Sequence, residues 1–174
     1  MATIGMPLAA DFEDSEFVVP RERLAAAGHT VVVLGVNAGE KVTGKRGKET
    51  ARIDKAINDA EPDDYDALVI PGGYSPDHLR TNSAMVSFVR RFGESGRLIA
   101  AVCHGPQLLI EADLVKGRRM TSWPSVRKDL ENAGAEWVDA EVCVDDNFIT
   151  SRKPDDLEAF SKAIVGKLAE MEAA

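Results

Sequence analysis

The sequence "RLIAAVCHGPQLLIEA" at residues 97–112 contains the clearest indication of the fold. Its apolar run ends at Cys103 and His104, and Gly105 and Pro106 then interrupt the chain before a helical pattern begins. A short apolar run followed by such a break predicts a buried strand that turns directly into a helix. The chain has only two cysteines and three histidines, so one of each at this junction marks a candidate reactive site.

The rest of the chain alternates short apolar runs with helix-period segments. Strand patterns occur at 29–36, 65–73 and 97–103, and helix patterns at 82–92, 106–115, 125–134 and from 154 onward. This alternation predicts an α/β fold in which helices cover both faces of a mainly parallel sheet. Residues 140–151 predict a hairpin, and the polar, glycine-punctuated segment 39–53 predicts an exposed one. With no recognisable linker, residues 1–174 are predicted to form one domain.

The charge, the apolar runs and the number of cysteines argue against several classes of binding partner and site. The formal net charge of −8 argues against a nucleic-acid backbone or an anionic membrane surface. No apolar stretch approaches the roughly 18 residues that span a bilayer, and the N-terminus lacks a basic leader. Two cysteines cannot build a metal site or a disulfide framework alone, so we expect free thiols in a reducing cytoplasm, with no metal and no cofactor.

Three segments lead to the carboxyl ends of the predicted strands, where sites in such folds lie: 10–16, 71–77 and 103–105. The sharp turn is expected to push Cys103 out of the sheet, and Gly105 permits that turn. The positive end of the following helix is then expected to lower the pKa of the thiol. The pattern alone leaves open that Cys103 is an inert, buried small residue.

Five segments carry a family resemblance: "DFEDSEFVVPRERLAAAGH", "VIPGGYSPDHLR", "AVCHGPQLL", "TSWPSVRKDLENAGAEWVDAEV" and "ITSRKPDDLEAF". In this order they resemble the PfpI-type intracellular protease and deglycase family, and in particular its bacterial general stress proteins. That family belongs to the superfamily of the parkinsonism-associated deglycase. The resemblance implies a flavodoxin-like three-layer sandwich and a homo-oligomer, either a dimer or a hexamer. The family's β-branched first strand is replaced here by "TIGMPLAA", which Gly5 and Pro7 are expected to weaken.

The resemblance implies that Cys103 is the nucleophile and that Glu16 is the carboxylate beside it. A carboxyl desolvated next to a thiolate would have a raised pKa, stay protonated and move that proton to or from a substrate oxygen. Without the resemblance, the residues leave a second interpretation open. Glu13, Asp14 and Glu16 would then be a solvated acidic helix start.

Six further positions take their expected roles from the family. The backbones of Gly72, Gly73 and Gly105 are expected to line the pocket, with donors for a developing oxyanion. Trp123 stands where protease-like relatives have tyrosine, and it could wall the pocket. Asp77 corresponds to an acidic residue that reaches the active-site histidine across a subunit contact, although it is one methylene shorter here. His104 is either a general base held by that carboxylate or a polar neighbour of the cysteine.

Three functions remain open at this point. The resemblance favours a stress-protection enzyme in which Cys103 forms a hemithioacetal with reactive aldehydes or with glycated protein or nucleic-acid adducts. The alternatives are an intracellular peptidase that uses Cys103 and His104, and a redox sensor or chaperone that works through Cys103 oxidation. Glutamine amide hydrolysis is excluded, because that chemistry needs a later histidine and none follows His104.

Overall fold

A central seven-stranded sheet organises the computed structural model, which describes residues 1–174. In chain order the strands are β1 (Thr3–Pro7), β2 (Thr30–Gly35), β3 (Lys41–Thr43), β4 (Thr50–Arg52), β5 (Lys55–Ala56), β6 (Ala67–Ile70), β7 (Leu98–Val102), β8 (Arg119–Met120), β9 (Glu136–Trp137), β10 (Cys143–Asp145) and β11 (Phe148–Ser151). The α-helices are α1 (Asp14–Ala26), α2 (Ser75–Leu79), α3 (Ser83–Glu94), α4 (Pro106–Glu111), α5 (Arg127–Asn132) and α6 (Leu157–Ala173). None of them has both the length and the apolar character needed to cross a bilayer.

The strand order in the sheet is β10-β11-β7-β6-β1-β2-β5, and only β10 runs antiparallel to its neighbour. Successive strand residues face opposite sides, so each face of the sheet builds its own core. Val69 of β6 packs in the core that includes Phe17 of α1 and Phe160 of α6. Ile70 packs on the opposite face, in the core that includes Phe88 of α3. The predicted mainly parallel sheet with helices on both faces is therefore confirmed.

Most predicted elements form where the sequence pattern places them. The three strand patterns become β2, β6 and β7, and residues 140–151 form the β10–β11 hairpin. The cap of α3 is Asn82, whose side-chain oxygen accepts the Met85 N–H at 2.9 Å. The helix predicted over 106–115 is shorter, because α4 ends at Glu111 and Asp113 adopts a left-handed φ of 58°.

The expectation of a weakened first strand is wrong. β1 lies inside the sheet, between β2 and β6. A Cβ on Gly5 would lie 2.8 Å from Leu68 Cδ2 and 2.9 Å from Leu34 Cδ1, so this glycine makes room for large side chains of both neighbouring strands. Pro7 is tolerated because it is the last residue of the strand, two residues beyond Gly5, where the pairing with β6 ends.

The segment 39–53 forms the predicted hairpin, β3–β4, but it is not simply exposed. Its inward residue Val42 is buried in the core shared with α1 and α6. The carboxylate of Asp14, at the start of α1, accepts three backbone N–H groups between residues 46 and 49 at 2.9–3.0 Å. The tip of the hairpin is therefore fixed against the helix that carries Glu16.

Candidate active site

Cys103 occupies a sharp elbow directly after β7. Its φ is 62°, in the left-handed region that residues other than glycine rarely adopt. Its N–H donates to the Ser151 carbonyl at 3.0 Å, and its own carbonyl accepts the Trp123 N–H at 3.0 Å. A Cβ on Gly105 would lie 2.6 Å from the Ile70 carbonyl oxygen, so glycine is required for the chain to leave the elbow. Hydrogen bonds on both sides thus hold a strained backbone in place.

The thiol at this elbow is not exposed, since only 6% of Cys103 is accessible to solvent. Burial raises the pKa of the Cys103 thiol, and the neighbouring Glu16 carboxylate raises it further. The N–H groups of Gly73 and His104 bond to the sulfur and lower the pKa, but they do not outweigh burial. The expected lowering of the thiol pKa by the helix is therefore wrong. α4 spans only six residues and offers a weak dipole to a sulfur that has left water.

Glu16 lies fully buried on α1 and is not part of a solvated acidic helix start. Its Oε1 accepts the Gly72 N–H at 2.9 Å, whereas Oε2 has no hydrogen-bond partner. A Cβ on Gly72 would lie 2.6 Å from Oε1 and 2.9 Å from the Cβ of Cys103, so carboxyl and cysteine face each other across this glycine. Burial raises the pKa of Glu16 to about 8. The carboxyl is therefore protonated at neutral pH beside the nucleophile.

His104 lies between the sulfur and the mouth of the site. Its Nδ1 is 3.3 Å from Cys103 Sγ, and its Nε2 is 3.4 Å from the Ser125 hydroxyl. The imidazole stacks on Trp123 with ring centroids 6.3 Å apart, so Trp123 walls the site. Burial lowers the pKa of His104, and the charge of Lys45 lowers it further, which keeps the ring neutral at pH 7. Sequence reasoning missed Ser125, whose small side chain carries no pattern of its own.

The glycines play narrower roles than the sequence implied. The Gly72 N–H is occupied by Glu16, and the Gly105 N–H donates to the Val102 carbonyl at 2.8 Å. Neither can serve as an oxyanion donor without breaking those bonds. Gly73, at φ 73°, keeps its N–H on the sulfur and not on a carbonyl or carboxylate of the chain, so it is the glycine of the three that is placed beside the nucleophile as a candidate oxyanion donor.

Asp77 lies exposed on α2 and forms no hydrogen bond or ion pair within the chain. Its predicted contact with His104 of another subunit stays a prediction. The adjacent His78 has a partner in the same chain, with its Nε2 3.5 Å from Asp11 Oδ2.

A charged cluster on the hairpin tip was missed because the segment was expected to be exposed. Glu13, at the start of α1, is buried and accepts Lys45 Nζ at 2.8 Å and Arg46 Nε at 2.6 Å. Burial opposes its ionisation, yet the Arg46 and Lys45 contacts hold the pKa of Glu13 below its ordinary value. The signal that could have revealed the cluster is the charge complementarity between "EDSE" and "GKRGK".

Together these groups supply a nucleophilic sulfur, a protonated carboxyl, a neutral imidazole and two peptide N–H groups directed at the sulfur. This set suits attack on a carbonyl carbon followed by proton transfer to and from its oxygen. No group of three or more histidine, cysteine, aspartate or glutamate side chains is placed to hold a metal ion.

Known proteins share this sequence over nearly its whole length. The DJ-1/PfpI family model matches residues 2–167. Protein/nucleic acid deglycase 2 of Escherichia coli K12 is 47% identical over 160 residues, which cover 91% of this chain and 93% of that protein. A Bacillus subtilis protein named "Putative cysteine protease YraA" is 49% identical over 159 residues, covering 91% and 94% of the two chains.

Solved structures share the fold. A two-domain protein from Anabaena variabilis, with DJ-1/ThiJ/PfpI-like and ferritin-like domains, superposes with a TM-score of 0.95 at 44% identity. The match covers 97% of this chain and 48% of that longer one. DJ-1beta of Drosophila melanogaster superposes with a TM-score of 0.89 at 32% identity, covering 97% and 90%. By its sequence match, its fold and its cysteine elbow, the chain belongs to the DJ-1/PfpI family.

Proposed function

We propose that this chain is a cysteine-dependent hydrolase that protects against reactive aldehydes by acting on them or on their glycated adducts. The observation that carries the proposal is the buried Glu16 carboxyl, which faces Cys103 across Gly72 and holds its proton up to a pH of about 8. Aldehyde chemistry needs such a group, because every bond made or broken at the former carbonyl carbon moves a proton at the adjacent oxygen. The relatives named deglycase and cysteine protease support the class.

The proposed reaction on methylglyoxal begins when the sulfur of Cys103 attacks the aldehyde carbon. As the carbon–sulfur bond forms, the thiol proton passes to His104 and Glu16 protonates the carbonyl oxygen, which leaves a hemithioacetal, a protonated His104 and a carboxylate on Glu16. That carboxylate removes the proton from the same carbon and returns it to the neighbouring carbon, while the hydroxyl proton of the first carbon moves to the oxygen of the second, which gives a lactoyl thioester. Water then attacks the thioester, giving a proton to the Glu16 carboxylate while His104 returns its proton to the departing sulfur, so the enzyme is restored and the net reaction adds one water to methylglyoxal to give lactic acid.

On a glycated amine, cysteine or guanidine, the same sulfur attacks the adduct carbon and the acceptor leaves with a proton. The Gly73 N–H lies beside the sulfur and can stabilise the oxygen at which negative charge develops. The neutral His104, 3.3 Å from the sulfur, can take the thiol proton as the carbon–sulfur bond forms.

A peptidase is the second candidate, and the contact between Cys103 and His104 is the observation that favours it. It would require the imidazole to act as base with a carboxylate behind it, and within the chain Nε2 faces only the Ser125 hydroxyl. Oxidation sensing fits less well, because the low exposure of the sulfur restricts access of an oxidant.

Methylglyoxal consumption and lactate formation by the purified chain test the proposal. We expect the activity to disappear in Cys103→Ala and to persist in Cys143→Ser, which alters the only other thiol, a buried one that contacts the Arg119 carbonyl. A panel of fluorogenic peptides assayed on the same proteins addresses the peptidase. Full activity on methylglyoxal in Cys103→Ala, or Cys103-dependent cleavage of peptides alone, would overturn the proposal.

The proposal extends to the setting of the enzyme. The substrates are small aldehydes or glycated proteins, and the site of action is the cytoplasm, where a free thiol stays reduced. The assembly is a homodimer or a hexamer with Asp77 at a subunit contact. Sedimentation analysis of the wild type and of Asp77→Arg tests this. The same oligomeric state in both proteins would place Asp77 outside the contact.

A further inference from the structure

A second feature lies on the far side of the active-site wall. An open groove of about 680 Å³ runs between the tip of the β3–β4 hairpin and the turn that precedes α6. Trp123 lines both this groove and the active site. It stacks on His104, its N–H bonds to the Cys103 carbonyl, and it is 38% exposed where it lines the groove. A ligand in the groove would therefore lie next to whatever is bound at the sulfur.

The groove carries positive charge that the protein itself does not neutralise. Lys48 and Lys153 line it from opposite sides, and neither has a carboxylate within ion-pair distance. Arg46 also lines the groove and contacts Oε1 of Glu13, whereas Lys45 contacts Oε2 of the same carboxylate. Two cations thus share one buried carboxylate at this end of the groove, which adds to its excess of positive charge.

The carboxylates in the groove are largely in use. Asp14 accepts three backbone N–H groups of the hairpin tip, and this fixes its oxygens away from any ligand. Asp155 is the exposed carboxylate that remains in the lining. The first residues of α1 and the turn before α6 also line the groove, so the positive ends of two helices of 13 and 17 residues are directed to it. A protein with a formal net charge of −8 therefore presents a locally cationic groove beside its nucleophile.

We propose that this groove binds the acceptor half of the glycated substrate, and that the acceptor carries a carboxylate or phosphate group which Lys48 and Lys153 hold. The inference rests on the proposed function, since it places the aldehyde-derived carbon at Cys103 and the leaving group beyond Trp123. The volume matches a small-molecule site of 300–1,000 Å³ and is too small for a folded domain. The formal net charge of −8 disfavours a long polyanion, so the acceptor is a small anionic molecule.

Two pairs of substrates, each differing in one anionic group, test the proposal. The first pair is the methylglyoxal adduct of N-acetylcysteine and that of N-acetylcysteine amide, which compares a carboxylate with a neutral group. The second pair is the adduct of guanosine 5′-monophosphate and that of guanosine, which does the same for a phosphate. For exposed charge pairs of ordinary strength, we expect kcat/KM to favour the anionic member of at least one pair by about 3- to 10-fold. The pair that shows the preference identifies the anion.

The variant Lys48→Met/Lys153→Met should lower this ratio toward 1 through KM, and raising the salt concentration should do the same in the wild type. Lys41→Met removes an exposed lysine from β3 of the same hairpin and should leave the ratio as it is in the wild type. Equal rates within both pairs in the wild type, or a ratio that the double variant does not change, would overturn the proposal.

A binding measurement separates this inference from the proposed function. S-Lactoyl-N-acetylcysteine and its amide can be titrated into Cys103→Ala protein, where no turnover occurs. Preference for the carboxylate compound, lost in the added lysine substitutions, supports the groove even if turnover assays fail. Turnover of methylglyoxal together with equal binding of both compounds refutes the groove and leaves the proposed function standing.

Discussion

Nδ1 of His104 lies 3.3 Å from the sulfur of Cys103, yet the two residues are not poised as a thiolate–imidazolium pair. Burial and the charge of Lys45 lower the pKa of His104, and burial raises the pKa of Cys103. Both shifts favour the neutral forms of both groups. The proton that matters for an aldehyde substrate is therefore the one on Glu16, whose pKa is raised to about 8.

Substitutions of the two proton carriers should separate their roles. Glu16→Gln removes the only acid beside the carbonyl oxygen, so we expect methylglyoxal kcat to fall by about 100-fold or more. His104→Gln should cost about 10-fold, because the sulfur keeps its N–H donors and Glu16 keeps its proton. Steady-state kinetics with Cys143→Ser as the control would measure this. A larger loss in His104→Gln than in Glu16→Gln contradicts the assignment.

The reactivity of Cys103 should be low at neutral pH and should still be rising at pH 9.5, without a plateau near 8. Burial raises the pKa of the thiol, and the Glu16 carboxylate that forms as the pH passes about 8 raises it further, so the thiolate fraction stays small over this range. The rate of iodoacetamide alkylation, followed by intact mass from pH 6 to 9.5, checks this in Cys143→Ser protein. A rate that levels off at or below pH 8 would contradict the raised pKa of the thiol.

Glu16 should lower the free energy of unfolding as the pH rises from about 4.5 toward 8. Its folded pKa of about 8 exceeds the ordinary value of 4.5, so its contribution to stability is intact below about pH 4.5 and is lost as pH rises toward 8. At about 1.4 kcal/mol per pKa unit, the full loss is on the order of 5 kcal/mol. In urea unfolding, the free energy of unfolding of Glu16→Gln relative to the wild type should therefore increase between pH 5 and pH 8. The control is Glu22→Gln, on the exposed side of α1, and a Glu16→Gln gain that is equal at both pH values would contradict the prediction.

Gly72→Ala should damage the site more than the fold. The added Cβ would lie 2.6 Å from Glu16 Oε1, 2.8 Å from the backbone nitrogen of His104 and 2.9 Å from the Cys103 Cβ. The carboxyl and the cysteine must therefore separate. We expect turnover to fall by about 100-fold and the free energy of unfolding by about 1–3 kcal/mol. Gly166→Ala on α6, where a Cβ has open space, is the matched control in both kinetics and urea unfolding. Wild-type turnover in Gly72→Ala would show that the spacing is unimportant.

The elements of the fold were readable because their patterns are local. Apolar runs gave β2, β6 and β7, and the Asn82 cap and its apolar face gave α3. The first strand was misjudged because the rule against glycine and proline in strands looks only along the chain. Gly5 is required there by Leu34 and Leu68, which come from two other strands.

In the candidate site, too, some features follow from the local sequence and others depend on contacts with distant parts of the chain. The local pattern was enough to predict that a cysteine stands between a buried strand and a helix, because strand, break and helix are contiguous in "AAVCHGPQLL". The protonation of the site's groups could be derived only from the three-dimensional packing, since burial depends on what the rest of the chain packs around them. It buried Glu16 and Cys103 together across Gly72, and it brought the hairpin tip with Lys45 and Arg46 onto Glu13. The pKa values of the site follow from that packing, because desolvation and distant charges act through space.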